Sequence, residues 1–240
     1  MFEIERHDVI TSTNDRAKVL ASEGKRNICV IADRQTGGRG RMGRSFYSPS
    51  GCGLYLSVAF APKVRGEDSA LLTTYAAVAV WECIRELAGV TADIKWVNDV
   101  YLHGKKVCGI LAEGKIDYTT GMFDYAVLGI GINVKNMPFP EELAPIASDL
   151  ETETGVCIDR EDLTRLLLQK LGDMEGALRT RAFMETYRKN CLVLGKQIEV
   201  IRGNERFFAH ALDVTDRGEL LIRVGDSTQV LQSGEVSVRV

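Results

Sequence analysis

Apolar residues recur along this chain in two rhythms. Leu72, Ala76, Ala79, Cys83 and Leu87 fall at helical spacing, so the stretch 68–87 predicts a core helix. Leu163, Leu167 and Leu171 repeat that rhythm after Asp159, a residue suited to cap a helix N-terminus. Near the start, Thr11-Ser-Thr-Asn14 offers capping hydroxyls and an amide ahead of a helix-like run that ends at Gly24. Between these helices, short runs rich in β-branched residues predict strands over 28–32, 54–60, 93–97, 100–102, 106–113 and 125–130. Asn98-Asp99 and His103-Gly104 carry the turn chemistry of tight hairpins.

The texture changes near Cys191. From Gly195 onward, short alternating runs are separated by Gly203-Asn204, Arg217-Gly218, Gly225-Asp226 and Ser233-Gly234, and no helical period survives. This predicts a small β-barrel over 191–240, packed on a main domain of residues 1–190. Helices mixed with hairpin-connected strands make the main domain α+β, with a mixed β-sheet and flanking helices rather than a doubly wound parallel sheet.

Composition narrows the function classes. The 240 residues are 45% hydrophobic and carry a formal net charge of -3, so the surface as a whole does not attract nucleic acid. Six cysteines are scattered singly, never as C-x-x-C, which fits buried reduced thiols in a cytoplasmic protein. Three histidines far apart in sequence give no zinc pattern. The start lacks a basic patch followed by an apolar run, and no stretch is long and apolar enough to span a bilayer.

Chemistry concentrates in four segments. In Gln35-Thr-Gly-Gly-Arg-Gly-Arg-Met-Gly-Arg44, three arginines sit among four glycines. Glycine lets backbone N–H groups approach a ligand, and guanidinium forks suit carboxylate and phosphate oxygens. The pattern therefore predicts an anion-binding loop, mobile when empty because its like charges repel. No Lys-Ser or Lys-Thr closes the run, so it is not a P-loop. A nucleic-acid-binding arm is the rival reading, and a solvated loop the plain one. Lys95-Trp-Val-Asn-Asp99 and Lys106-Val-Cys-Gly-Ile-Leu-Ala-Glu113 read, taken singly, as ordinary strand ends. Leu128-Gly-Ile-Gly-Ile-Asn-Val134 lacks the third glycine of a dinucleotide fingerprint, and the prolines that follow cannot open a helix.

In their order and wording these segments resemble the biotin protein ligase family, and the resemblance runs over nearly the whole chain. It is carried by Thr11–Asn14, GGRGRMGR (Gly37 to Arg44), KWVND, KVCGILAE, GIGINV and the ending Gly234-Glu-Val-Ser-Val-Arg239. Val97 stands where the family commonly has proline, and Met42 where the loop often has another arginine. The resemblance implies a catalytic domain like that of class II synthetases and a C-terminal SH3-like barrel. It also implies the form without an N-terminal DNA-binding domain.

The resemblance further implies a two-step reaction. Biotin and ATP form biotinyl-5′-AMP with Mg²⁺, and a lysine of a biotin carboxyl carrier protein then takes the biotin. Carried over by position, Ser12, Thr13, Asn14, Gln35, Gly38, Arg39, Gly40, Arg41, Lys106 and Gly109 would contact biotin. Arg39, Arg41, Arg44, Phe46, Asn98, Asn133 and Lys106 would contact the nucleotide or adenylate, with Lys106 and Arg41 catalytic. No protein residue is assigned to a metal. The expected partner is a carrier domain, without DNA or membrane, as a monomer or a homodimer. A lipoate ligase and a nucleic-acid-binding module are the two alternatives.

Overall fold

The structure, a computed structural model, describes residues 2–232 and 236–239. It opens with strand β1 (Glu3–Ile10), which the apolar pattern does not announce. The strand is polar over most of its length because it is the edge of the main sheet, where only partial burial is needed. Helix α1 (Thr13–Ser22) follows, with Ser12 Oγ accepting from the Asp15 N–H as its cap. Then come β2 (Ile28–Gln35), β3 (Gly53–Phe60), α2 (Ala70–Ala88), β4 (Asp93–Lys95), β5 (Asp99–Leu102), β6 (Lys105–Ile116) and β7 (Phe123–Asn133).

The seven strands form one sheet in the order β1-β2-β3-β7-β6-β5-β4. Only β1 and β2 run parallel, and every other neighbouring pair is antiparallel, so the sheet is mixed as expected. The β5–β6 hairpin turns at His103 and Gly104, both at positive φ (48° and 81°), as a two-residue turn of that hand requires. The strand expected over 93–97 stops at Lys95, and the turn to β5 contains a cis peptide between Trp96 and Val97.

Strand alternation sorts the two faces. Ile28 and Val30 of β2, Ala59 of β3 and Val127 of β7 pack under Ala17, Leu20 and Ala21 of α1. Their neighbours Cys29, Ile31, Leu56, Val58 and Leu128 belong to a larger core on the opposite face, centred on α2. That helix is buried nearly all round, because α4 (Arg160–Gly172) and α6 (Phe183–Lys189) cover the side turned away from the sheet. Tyr75 of α2 donates to Lys170 O at 2.5 Å and meets the Phe183 ring edge-on at 5.2 Å. Asp159 caps α4 as expected, accepting from Glu161 N and Asp162 N at 2.8 and 3.0 Å, a contact worth about 1 kcal/mol. Two shorter helices, α3 (Leu150–Thr154) and α5 (Met174–Thr180), complete the helical part.

The C-terminal strands β8 (Gln197–Arg202), β9 (Glu205–Val214), β10 (Leu220–Val224), β11 (Ser227–Leu231) and β12 (Val236–Arg239) form an antiparallel sheet in the order β11-β10-β9-β8-β12. This is the small SH3-like module. The expected turn at Ser233-Gly234 lies outside the described residues. Trp96 Nε1 donates to Gly218 O at 3.0 Å, and Leu192 N donates to Ile94 O at 2.8 Å. The module thus grips the β4–β5 turn, which borders the cavity described next.

Candidate active site

A cavity of about 740 Å³ opens on the α1 face of the sheet, over β6 and β7. Its floor is low because of glycines. Gly109, Gly129 and Gly131 alternate with the core residues Ile110, Ile130 and Ile132, so the glycines face the cavity and the isoleucines the α2 core. A Cβ on Gly129 would lie 1.9 Å from Asn14 Oδ1, and one on Gly131 would lie 2.5 Å from the Phe46 ring. The Gly-Ile-Gly-Ile pattern is therefore a floor on which side chains lie flat, and not a phosphate-binding turn.

Above Gly129, neutral groups gather. Thr13 donates to Gln35 Oε1 through its backbone N–H at 2.8 Å, and its Oγ1 lies 3.0 Å from the same oxygen. Gln35 Nε2 donates to Ser48 Oγ at 3.0 Å. Asn14 is committed inward: Nδ2 donates to Glu113 Oε2 at 2.9 Å, and Oδ1 lies 2.6 Å from Ser57 Oγ. Asn14, expected as a ligand contact, borders the cavity, and its amide is held on both sides by the protein.

Above Gly109 the character is cationic. Lys106 Nζ lies 2.6 Å from Asp99 Oδ1 and 5.9 Å from the centre of the Phe46 ring. That carboxylate oxygen has no hydrogen-bond partner, so the contact is one of charge and not of hydrogen-bond alignment. The backbone of Lys106 is gripped on its outer side: its N–H donates to Ile146 O and its carbonyl accepts from Ser148 N, each at 3.0 Å. Gly129 pairs with Leu111, and Gly131 with Gly109. The neutral and cationic ends are thus two residues apart along the strands, roughly 7 Å.

The arginine loop is a small hairpin. Phe46 N donates to Gly38 O at 2.9 Å and Gly40 N to Arg44 O at 2.7 Å, with Met42 and Gly43 at the tip, both at positive φ. Two of its arginines find side-chain partners within the protein. Arg39 Nη2 lies 2.6 Å from Glu113 Oε2 and 2.8 Å from Asp15 Oδ1. Arg41 Nη1 donates to Asn98 Oδ1 at 3.2 Å. Burial lowers the Arg41 pKa from its usual value, with the Asp99 charge opposing that shift. Carboxylates 24 and 74 residues away in sequence thus balance the charge of Arg39.

Ser12, Thr13, Asn14, Gln35, Arg39, Gly40, Arg41, Arg44, Phe46, Asn98, Lys106, Gly109 and Asn133 all line this one cavity. Gly38 does not. It is buried beneath the loop, where a Cβ would lie 2.5 Å from Phe46 O and 2.7 Å from Ser48 Oγ, so it serves packing. Asn133 donates to Ser148 O at 2.9 Å and ties the segment before α3 to β7. Asn98 donates to Ile110 O at 3.0 Å and presents its oxygen to Arg41. Sequence reasoning missed Asp99, Tyr101, Trp96 and the apolar wall of Phe139, Leu143 and Ile146. Asp99 closes the KWVND segment and was open to discovery there; the wall is interleaved with Pro138, Pro140 and Pro145 and has no periodic signal.

A mixed sheet with a glycine floor, one neutral and one cationic end, and an arginine hairpin over the top defines an acyl-adenylate-forming ligase site. The chain belongs to the Biotin/lipoate A/B protein ligase family, whose pattern it matches over residues 7–133, and residues 193–239 match the Biotin protein ligase C terminal domain. It is 34% identical to the Bifunctional ligase/repressor BirA of Bacillus subtilis, over 97% of this chain and 73% of that protein. It is 30% identical to a Biotin--[acetyl-CoA-carboxylase] ligase of Paracoccus denitrificans, over 94% of this chain and 96% of that one. The fold superposes on the Biotin protein ligase from Aquifex aeolicus in complex with biotin and ATP with a TM-score of 0.84, at 28% identity, covering 100% of this chain and 99% of the other.

Proposed function

We propose that this protein activates biotin with ATP and transfers it to a lysine of a biotin carboxyl carrier domain. The observation that carries the reading is the pairing, in one cavity, of a neutral hydrogen-bonding end at Thr13 and Gln35 with a cationic end at Lys106, Arg41 and Arg44. A urea ring is neutral and needs neutral donors and acceptors. A carboxylate meeting a triphosphate needs fixed positive charge, because the two repel.

In the first step a biotin carboxylate oxygen bonds to the α-phosphorus and the bond to pyrophosphate breaks. Lys106 holds a positive charge beside the reacting oxygens, and Arg41 covers the mixed anhydride. Arg44, Phe46 and Asn133 border the nucleotide side, with Asn98 orienting Arg41. In the second step the amine of the carrier lysine bonds to the acyl carbon, AMP leaves and the amine loses one proton. Mg²⁺, when bound to the nucleotide, supplies further neutralisation of the phosphates. Among the described residues no group of three or more His, Cys, Asp or Glu side chains is arranged to hold a metal, so the ion fits as a companion of ATP.

No helix among the described residues is long and apolar enough to cross a membrane, and all six cysteines are unbridged. These support a cytoplasmic setting. We place the division between catalytic and C-terminal modules at 190/191. Incubation with labelled biotin, ATP, Mg²⁺ and a purified carrier domain should label the carrier lysine. Labelling by lipoate in place of biotin would overturn the reading.

A further inference from the structure

The turn between β9 and β10 is closed on itself: Thr215 N donates to Glu219 O at 2.8 Å, and Gly218 N donates to Thr215 O at 2.9 Å. Gly218 is buried at a positive φ of 79° and presses the turn against the start of α2. A Cβ on it would lie 3.2 Å from Ala70 Cβ and 3.3 Å from Thr74 Cγ2, so glycine suits both the φ and the close approach. Beside it, Arg217 Nε lies 2.9 Å from Asp68 Oδ1 and Nη2 lies 3.3 Å from Glu67 Oε1, both in the short turn that leads into α2. A guanidinium fork and a glycine thus seat the C-terminal module at this corner of the catalytic domain.

At the same corner the Gly218 carbonyl accepts from Trp96 Nε1 at 3.0 Å. The indole is 4% exposed, so losing this bond would leave a buried carbonyl unsatisfied. Trp96 lines the catalytic cavity, whereas Arg217 and Gly218 lie outside its lining. Residues 96–98 are therefore held at both ends. Trp96 is tied to the module. Asn98 is tied to β6, its Nδ2 donating to Ile110 O at 3.0 Å and its carbonyl accepting from Ile110 N at 2.9 Å. On this turn rests the hairpin, through Arg41 Nη1 at 3.2 Å from Asn98 Oδ1.

We propose that Arg217 is a positioning residue for the ligase site: by seating the Gly218 carbonyl against Trp96, it fixes the turn on which Arg41 rests and so sets how long the adenylate is held. The inference rests on the biotin reading, in which the adenylate is made and kept in this cavity. Arg217 acts only through Gly218, Trp96 and Asn98. A loosened turn leaves the backbone of Lys106 in place, because Ile146 and Ser148 grip it from the outer side. Adenylate formation then persists while retention falls.

The test uses the full chain with biotin, ATP and Mg²⁺. It reads escape of biotinyl-5′-AMP, as bystander labelling, relative to the single-turnover rate of its formation. Arg217→Met should raise this ratio about 3-fold, and Trp96→Phe, which keeps a ring but deletes the N–H, about 10-fold. The double variant should match Trp96→Phe alone, since both changes cut one path. Arg206→Met removes a pairing with Glu199 at 3.6 Å elsewhere on the module and should leave the ratio at the wild-type value. Arg217→Met, at a partly exposed site, stands by itself should Trp96→Phe fail to fold. A contact that only holds the modules together would lower the Tm of Arg217→Met and leave its ratio unmoved, which would overturn the proposal. Effects that multiply in the double variant, or an equal rise with Arg206→Met, would overturn it too. Wild-type protein that forms no biotinyl-5′-AMP would overturn the functional reading instead.

Discussion

Lys106 Nζ faces Asp99 Oδ1 at 2.6 Å, across the β5–β6 pairing and directly over Gly109. Any side chain at 109 would meet the ammonium, since a Cβ there lies 3.0 Å from Nζ. The charge is thereby held at a fixed height over the floor before any substrate arrives. Such preorganisation is what makes a cation effective against charge that develops only in the transition state.

Lys106→Ala should therefore slow adenylate formation about 10²-fold while changing biotin affinity much less. Single-turnover adenylation and calorimetry separate the two quantities. An adenylation rate equal to wild type would remove Lys106 from the reaction.

Arg41 reaches from the hairpin to Asn98, bridging the loop to the β4–β5 turn. Arg41→Gly should retain some adenylation but release biotinyl-5′-AMP early, since both the bridge and the cover over the anhydride are lost. Labelling of an unrelated bystander protein should rise several-fold, on the order of 10-fold for about 1.4 kcal/mol of lost hold on the intermediate. Unchanged bystander labelling would show that Arg41 is not a latch.

The hairpin also predicts a pattern of proteolysis. Arg39 is tied to Asp15 and Glu113, whereas Arg44 is exposed beside the tip at Met42 and Gly43. Trypsin should cut the ligand-free protein after Arg44 before Arg39, and biotin with ATP and Mg²⁺ should suppress the cutting. Mass spectrometry of the first fragments reads the order. Equal cutting with and without substrates would mean that the hairpin does not close on the adenylate.

Stability in acid should depend on the edge strand. The Arg16 guanidinium holds the Glu5 pKa down at about 2, assisted by His7 and opposed by partial burial. A depressed carboxylate pKa contributes stability that is complete above its unfolded value of 4.5 and fades as pH falls toward 2. The Tm difference between wild type and Arg16→Met should thus be constant above about pH 5.5 and shrink as pH falls below 4.5. A difference that grows on acidification would contradict the assignment.

Much of the scaffold was legible from local pattern. Helix α2 showed in its apolar spacing, the β5–β6 turn in His103-Gly104, and the α4 cap in Asp159, because each is a short-range property of neighbouring residues. The arginine loop, the lysine of KVCGILAE and the Gly-Ile-Gly floor were also recognisable as segments. What could not be read was the direction of side chains whose partners are remote in sequence. Asn14 borders the cavity, but its amide is held by Glu113, 99 residues away, and Gly38 lies packed beneath Phe46 and Ser48. Arg39 was expected to want an anion, yet its counter-charges come from α1 and β6. Edge strand β1 escaped notice because an edge needs few apolar residues to hold its place. Residue type and local spacing determined which chemistry the chain carries. The pairing of strands far apart in sequence decided which groups face the substrates and which only hold others in position.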